Sequence, residues 1–216
     1  MYNICEILQI LKEDYMDLLK AFFIGYILGC FNLSYLLAKR KGFDIRDKGS
    51  HNPGTSNALI TMGWKAAIAT GICDIGKSAL AVRLSMHLFP ETALVPFAAG
   101  MGAVYGHMFP FYLLFRGGKG FACYLGLMLG IDWRIFLIAV LGTIVITFTL
   151  DHIVIATITN ITLFPIYLAV FYKLPWAWGF ALAASVPIFL KHIVNLKRIA
   201  NGTEVGFSKV KKGNVV

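Results

Sequence analysis

Apolar residues run through most of this chain in long stretches, and polar residues gather in the short segments between them. The first stretch extends from Leu18 to Ala38 and ends at Lys39, Arg40 and Lys41. A helix needs about 20 mostly apolar residues to cross the hydrocarbon core of a bilayer. Further runs of this kind follow at 63–89, 92–115, 120–131, 133–150, 153–172 and 175–190. The pattern predicts an all-α integral membrane protein, a bundle of about seven transmembrane helices whose fourth member is short enough to be a half-helix.

Composition supports the membrane class. Of 216 residues, 58% are hydrophobic and only 14% are charged, and the mean hydropathy of +0.71 is too high for an ordinary soluble domain. The net charge of +9 does not indicate nucleic acid, because the chain has no soluble basic domain that could bind it. We expect these cations to meet anionic lipid headgroups or phosphorylated metabolites instead.

Basic residues in short loops predict the orientation of the bundle. If the loop at Lys39–Lys41 is cytoplasmic, alternation through seven spans places Arg116, Lys119, Asp151 and the basic C-terminal tail on the same side. The N-terminus is then outside and the C-terminus cytoplasmic. The chain divides into an amphipathic N-terminal extension, a membrane domain and a basic tail, at residues 1–17, 18–204 and 205–216.

Three polar clusters lie at the predicted cytoplasmic ends. The first, "DIRDKGSHNPGTSNALITMG", extends from Asp44 to Gly63. Short polar side chains beside glycines with free backbone angles are typical of anion-binding loops. A surface turn is the alternative, since Asn-Pro-Gly is common in turns.

The second cluster, "FRGGKGFA", extends from Phe115 to Ala122. Glycines allow backbone N–H groups to approach a phosphate closely, and Lys119 adds a positive charge there. The GxxxxGK[ST] spacing of a nucleotide-binding P-loop is absent, and a flexible connection is the alternative. Nearby, His107 is as well explained by a hydrogen bond between helices as by catalysis.

The third cluster, "KHIVNLKRIANGTE", extends from Lys191 to Glu204 and places His192 and Asn195 on one helix face. Lys191, Lys197 and Arg198 are explained as helix caps and headgroup contacts. Asp74 and Lys77 are costly in lipid, so we expect them to face the bundle as a pair. The four cysteines form no CxxC pair, and neither a metal nor a cofactor is expected.

Together, the three clusters resemble the signature motifs of the bacterial acyl-phosphate:glycerol-3-phosphate acyltransferases, the PlsY family. The first resembles D-I-R-x-x-G-S-G-N-x-G-A-T-N. The second resembles G-H-x-F-P followed by F-K-G-G-K-G-V-A-T, and the third resembles H-x-x-N-I-x-R-L-x-x-G-x-E. The similarity extends from about Phe23 to Glu204 and includes "DIGKS" at Asp74–Ser78.

The resemblance implies a seven-helix bundle in the bacterial cytoplasmic membrane, with a site that faces the cytosol. In that family, the hydroxyl of glycerol 3-phosphate attacks a fatty acyl phosphate and gives lysophosphatidate and phosphate. The implied partners are these two substrates and membrane lipid. A phosphate is a good leaving group, so positioning and charge stabilisation could suffice.

The resemblance also implies roles for individual residues. The catalytic group would be Ser50, Lys119, His192 and Asn195, with His192 as the candidate proton acceptor. The substrate-binding group would be Asn52, Gly54, Ser56, Asn57, Gly117, Gly118 and Gly120. Glu204 would be structural.

Some positions depart from the family pattern. Ile60 lies where the family has an arginine that binds phosphate, His51 replaces a glycine, and Cys123 replaces a threonine. Either His51 or Lys65 compensates for the lost arginine, or the chain is a diverged relative that binds lipid without catalysis or uses another acceptor. A small transporter is a third alternative, disfavoured because the polar residues gather at one face rather than at mid-membrane.

Overall fold

The computed structural model of the protein describes residues 4–211, with side chains from 14 to 209, and within that range it contains helices and no strand. The α-helices are α1 Ile4–Cys30, α2 Leu33–Arg40, α3 Thr55–Met62, α4 Trp64–Leu88, α5 Val95–Met108, α6 Phe121–Ile131, α7 Trp133–Leu150, α8 Ile153–Tyr167, α9 Ala177–Ala200 and α10 Phe207–Lys211. Short 3-10 turns lie at Ile45–Asp47 and Phe111–Leu113, and a π-helix at Leu168–Tyr172 continues α8. The all-α prediction is confirmed.

Four helical stretches are long and apolar enough to cross a membrane: Asp14–Arg40, Trp133–Leu150, Ile153–Tyr172 and Ala177–Ala200. Helices α4, α5 and α6 lie at the three remaining predicted runs, and α6 is short, as expected. The protein is therefore a helical membrane protein. Seven spans and the orientation of the termini stay predictions.

Two predicted runs end differently in the structure. The run from Leu18 to Ala38 is broken at Phe31 and Asn32, where the Asn32 side chain accepts a hydrogen bond of 2.9 Å from the Tyr35 N–H and so caps α2. The helix predicted over 92–115 is shorter in the structure, because α5 stops at Met108 and the chain turns back. Pro110 has no N–H to continue a helix.

The predicted extension at 1–17 and tail at 205–216 fall partly outside the description. Residues 1–3 and 212–216 lie outside the described residues, as do the side chains up to position 13, so the predicted amphipathic face is not tested. From residue 4 the chain is already helical and continuous with the first span. In the tail, the Phe207 ring packs against Trp64 and Phe148, and the Ser208 N–H donates to Asp151 Oδ1 at 2.7 Å.

Helices α1 and α5 cross at very close range, because glycines face the partner backbone. A Cβ on Gly25 would lie 1.9 Å from the Ala99 carbonyl oxygen, and one on Gly102 would lie 2.0 Å from that of Phe22. Small residues at a crossing let membrane helices pack backbone to backbone. This contact brings the end of α5 beside the break between α1 and α2.

Inside the bundle, the predicted pair of Asp74 and Lys77 is confirmed. The Lys77 ammonium donates to Asp74 Oδ1 at 2.7 Å, to the Phe31 carbonyl at 2.6 Å and to His107 Nδ1 at 3.0 Å. These contacts use all three of its N–H donors. His107 Nδ1 is 3.4 Å from Asp74 Oδ1, a longer contact than the one with Lys77. We therefore assign His107 as neutral, with Nδ1 accepting from Lys77. We call these three side chains the buried ion cluster.

The buried ion cluster predicts an unequal response to two substitutions. Lys77→Met should destabilise the protein by roughly 3–5 kcal/mol, because it leaves the Asp74 carboxylate buried without its cation. Asp74→Asn/Lys77→Met removes both charges and should cost clearly less. Thermal unfolding in detergent, followed by tryptophan fluorescence, would measure both, with Lys65→Met on the exposed side of α4 as the control. A double variant as unstable as Lys77→Met would contradict the role of the pair.

Candidate active site

The three polar clusters of the sequence meet in one cleft of about 240 Å³. Its walls are the serine loop (residues 48–54, between α2 and α3), the glycine loop (residues 116–120, before α6) and the C-terminal part of α9. The lining residues are Ser50, His51, Asn52, Lys119, Lys191, Val194, Asn195 and Arg198.

Asn57 on α3 holds the serine loop in place. Its side-chain oxygen accepts from the Ser50 N–H at 2.8 Å, and its side-chain nitrogen donates to the carbonyls of Ile45 and Lys48, each at 2.9 Å. Asn57 is fully buried and does not line the cleft. The side chain therefore supports the backbone that presents Ser50.

The backbone conformation at His51 explains why the family pattern has a glycine at this position. Its backbone has φ of +58°, a left-handed conformation that costs other residues roughly 1–2 kcal/mol. Here the ring compensates, because His51 Nδ1 lies 3.0 Å from the Arg46 carbonyl oxygen. The substitution is thus accommodated locally, and it adds an imidazole to the cleft wall.

Arg46 joins the base of the serine loop to the turn that precedes the glycine loop. Its guanidinium contacts both Asp44 carboxylate oxygens, at 3.1 and 2.8 Å, and donates to the Leu113 carbonyl at 3.0 Å. The hydrogen bonds from Arg46 lower the pKa of Asp44 to about 2. Both groups are thus charged at neutral pH, and Arg46 is engaged outside the cleft.

The glycine loop differs from the predicted phosphate cradle. The N–H of Gly117 donates to the Met108 carbonyl at 3.1 Å, and the N–H of Gly118 donates to the His107 carbonyl at 3.0 Å. The prediction that these two amides are open to a phosphate is therefore wrong, since both are already bonded to the end of α5. The loop needs glycine here because a Cβ on Gly117 would lie 2.1 Å from the His107 carbonyl oxygen.

Beyond these two residues, the glycine loop supplies a charge and a helix start. Lys119 lines the cleft, and Gly120, with φ of +91°, begins α6 without a side-chain cap. The uncapped first turn of a helix carries unpaired N–H groups that favour an anion. Helix α3 likewise begins at Gly54 without a side-chain cap, directly after the serine loop.

Lys119 is held by a chain of polar contacts from the far side of the cleft. Its ammonium donates to Asn195 Oδ1 at 2.6 Å, and Asn195 in turn donates through its amide nitrogen to Glu204 Oε1. Burial lowers the pKa of Lys119, the charge of Glu204 opposes the shift, and Arg198 adds to it. An anion bound beside Lys119 would relieve that cost.

Lys191 is a site residue that the sequence interpretation missed. Its ammonium donates to the carbonyls of Met108, Gly117 and Gly118, at 3.0, 3.2 and 2.9 Å, and the side chain also lines the cleft. The missed signal was the spacing of Lys191, Asn195 and Arg198, which puts them on one face of a helix at steps of four and three. Both cations were explained as headgroup contacts.

His192 is buried, and its Nδ1 donates to the Ile188 carbonyl at 2.8 Å. That bond assigns the proton to Nδ1 and leaves Nε2 as an acceptor. Of the predicted site residues, the cleft brings together Ser50, Asn52, Lys119 and Asn195. Those not on its lining are Gly54, Ser56, Asn57, Gly117, Gly118, Gly120 and His192.

Asp74, His107 and Cys123 have ligand atoms within 4.8 Å of one another, which is spacing suited to a metal. The Lys77 ammonium already lies among them, bonded to two of the three side chains. A cation placed there would meet that charge directly, so this group does not fit a metal.

The chain is similar to proteins named glycerol-3-phosphate acyltransferases. A family model described as glycerol-3-phosphate acyltransferase matches residues 19–202. The glycerol-3-phosphate acyltransferase of Mesorhizobium japonicum is 37% identical over 188 residues, which cover 87% of this chain and 94% of the relative. Glycerol-3-phosphate acyltransferase 1 of Oceanobacillus iheyensis is 32% identical over 199 residues, which cover 87% and 93%.

Two crystal structures of PlsY (YgiH), an integral membrane glycerol 3-phosphate acyltransferase, have the same fold. The glycerol 3-phosphate form matches with a TM-score of 0.81 and 25% identity, over 92% of this chain and 98% of that chain. The lysophosphatidic acid form matches with a TM-score of 0.79 and 27% identity, over 88% and 95%.

The role of Asn57 can be separated from substrate contact by proteolysis. Asn57→Ala removes three hydrogen bonds, each worth about 1 kcal/mol, from the loop that contains Arg46 and Lys48. Trypsin should therefore cleave after these residues faster than in the unmodified protein. Ser56→Ala, on the exposed neighbour, is the matched control. Equal cleavage rates in all three proteins would mean that Asn57 does not hold the loop.

Proposed function

This chain belongs to the glycerol-3-phosphate acyltransferase family, and we propose that it transfers the acyl group in the cleft, from a fatty acyl phosphate. Its activity is the acylation of glycerol 3-phosphate to lysophosphatidate, and the resemblance noted from the three motifs is confirmed. The observation that carries the proposal is the convergence of Lys119, Lys191 and Arg198 on one small cleft.

Charge supports the placement of two phosphorylated substrates. Among the described residues, no carboxylate lines the cleft with the three cations, and the Glu204 carboxylate already accepts from Asn195. Burial disfavours the charge of Lys119, so a phosphate dianion would gain strong charge-assisted contacts there. The uncapped starts of α3 and α6 add partial positive charge at the same end of the molecule.

In the proposed reaction, a hydroxyl oxygen of glycerol 3-phosphate attacks the carbonyl carbon of the acyl phosphate. The new ester bond forms as the bond from the carbonyl carbon to the phosphate oxygen breaks, and phosphate leaves with the electron pair. His192 is the candidate acceptor of the hydroxyl proton, because its Nε2 carries no proton, although the ring is buried behind the residues that line the cleft. Released phosphate can take up the proton afterwards.

The remaining cleft residues orient and stabilise. Lys119 stabilises the negative charge that develops on the carbonyl oxygen and on the leaving phosphate. Asn195 places Lys119 by its 2.6 Å contact and, with Asn52, orients the glycerol phosphate. Ser50 offers its hydroxyl to the reacting groups from the exposed loop. Gly54, Ser56 and Gly120 act through the backbone at the starts of α3 and α6.

We place the protein in the bacterial cytoplasmic membrane, with the cleft facing the cytosol and the N-terminus outside. The seven proposed spans are α1 with α2, then α4, α5, α6, α7, α8 and α9. Lys39 lies at the end of α2 near the serine loop, 3.7 Å from Asp44, so the basic loop and the cleft share one end of the bundle. Basic loops favour the cytoplasmic side.

Ile60 does not weaken this proposal. Ile60 is not on the cleft lining, and its side chain lies near Gly49, where an added Cβ would be 3.3 Å from Ile60 Cγ2. His51 and Arg198 line the cleft and can replace the missing arginine, whereas Lys65 does not line it and Lys191 already donates to three carbonyls. A diverged, non-catalytic protein would be expected to lose these cations first.

The first test is a lysophosphatidate-forming assay. Purified protein in lipid should convert palmitoyl phosphate and glycerol 3-phosphate, and Lys119→Ala should lose roughly 100-fold or more in kcat/KM, because a buried charge at the reacting group is removed. Lys65→Ala, on exposed α4 surface, is the control and should match the unmodified enzyme. Normal turnover in folded Lys119→Ala would contradict the assignment.

The depressed pKa of Lys119 predicts a pH dependence. A lowered pKa means that Lys119 loses its proton at a lower pH than an ordinary lysine, so activity should fall on the alkaline side before free lysine titrates. Lys119→Arg keeps the charge and should move this alkaline fall to higher pH, even if turnover is slower. Profiles of kcat/KM against pH would show it, with Lys65→Arg as the control. An unmoved profile would exclude Lys119 as the titrating group.

A further inference from the structure

His107 lies beneath the glycine loop and takes no part in the reaction proposed above. It is 3% exposed and lies at the end of α5, where its backbone carbonyl accepts from the Gly118 N–H at 3.0 Å. Its imidazole also covers Gly118 from the bundle side, since a Cβ on Gly118 would lie 2.0 Å from His107 Nε2. Ring and carbonyl together fit closely against the residue that precedes Lys119.

The orientation of the His107 ring is set by the buried ion cluster. The Lys77 ammonium donates to His107 Nδ1 at 3.0 Å and to Asp74 Oδ1 at 2.7 Å. With Nδ1 held on this side, the opposite edge of the ring points at Gly118. A ring held by a buried charge has one orientation, because turning it would leave the Lys77 donor unpaired in an apolar interior.

The same cluster also reaches the serine loop. Lys77 donates its third bond to the Phe31 carbonyl at 2.6 Å, at the break between α1 and α2. The next residue, Asn32, donates through its amide nitrogen to the Pro53 carbonyl at 3.1 Å. The two loops that present Ser50 and Lys119 are therefore connected to one buried group.

We propose that His107 is a positioning residue of the acyltransferase. Its ring, held by Lys77 and Asp74, packs against Gly118 and fixes the distance between the glycine loop and the end of α5. At that distance Lys119 reaches Asn195 and the substrate phosphate. The inference rests on the role of Lys119 proposed above. His107 takes part in no proton transfer, and its ring acts only by steric contact with Gly118.

The steric contact can be tested with two substitutions, one that enlarges residue 118 and one that shortens residue 107. Gly118→Ala places a Cβ against His107 Nε2 and should lower kcat/KM by roughly 100-fold, because the loop must shift by about 1 Å. His107→Asn keeps an oxygen near the Nδ1 position as an acceptor for Lys77 but removes the outer half of the ring. Alone, it should raise the KM for glycerol 3-phosphate.

Combined, the two substitutions should complement each other. In Gly118→Ala/His107→Asn, the new methyl group fills the space left by the ring, so kcat/KM should be roughly tenfold higher than in Gly118→Ala alone. Gly117→Ala is the matched control. Its Cβ would meet the His107 backbone carbonyl at 2.1 Å, which His107→Asn does not remove, so Gly117→Ala/His107→Asn should show no recovery.

The outcomes separate this inference from the function on which it rests. Folding is checked by thermal unfolding, and Lys119→Ala is assayed in parallel. If Lys119→Ala is inactive but His107→Asn gives no recovery of folded Gly118→Ala, or recovers Gly117→Ala equally, the positioning role is overturned. Turnover in Lys119→Ala would instead overturn the site assignment.

A second variant keeps the inference testable should His107→Asn fail to fold. Asp74→Asn/Lys77→Met removes the charges that hold the ring and is expected to fold. It should raise the KM for glycerol 3-phosphate, since the ring can now turn away from Gly118. An unchanged KM in that folded variant would overturn the proposal.

Discussion

Lys77 must satisfy a positive charge inside an apolar bundle, and the arrangement of the functional end follows from how it does so. Its ammonium has three donors, and it finds a carboxylate, an imidazole nitrogen and a backbone carbonyl at 2.6 to 3.0 Å. These acceptors belong to three different parts of the chain: α4 itself, the end of α5 and the break after α1. Because an unpaired charge there would be very costly, the three parts keep one relative position.

The cleft above this cluster has the opposite electrostatic character. In the buried ion cluster Lys77 is paired with Asp74, whereas the cleft is lined by Lys119, Lys191 and Arg198 and, in the part of the chain that the structure describes, by no carboxylate. Burial lowers the pKa of Lys119, and the nearby charge of Arg198 lowers it further, so the charged ammonium is disfavoured until an anion enters. A phosphate bound there would offset the cost of burying the Lys119 charge as well as add contacts. The acylation of glycerol 3-phosphate suits a cationic cleft, since the phosphate group of this substrate is kept from substrate to product.

The serine loop and the glycine loop show that a residue in a motif can serve the protein's own packing rather than contact with the substrate. The glycines of the second motif are needed, but Gly117 and Gly118 serve close packing against α5 and bond their N–H groups there. In the first motif, Asn57 serves the backbone of its own loop. His51 occupies a left-handed position where the family pattern has a glycine, and its ring bonds the Arg46 carbonyl. A motif shows that a residue matters, and only its contacts show whether it meets the substrate or the protein.

The sequence alone determined the helical membrane class, the approximate position of most apolar helices, the Asp74–Lys77 pair and the family. These features follow from the length of apolar runs, from the cost of a lone buried charge and from the order of motifs, all of which can be read along the chain. It also singled out Ser50, Asn52, Lys119 and Asn195, which line one cleft in the structure. Tertiary structure decided which hydrogen-bond donors of the motifs remain free to bind a substrate. The brace that Lys191 gives the glycine loop joins residues more than 70 positions apart. The bonds of the Gly117 and Gly118 N–H groups and the fit of His107 against Gly118 depend on how the chain turns back onto the end of α5. No local pattern records such distances.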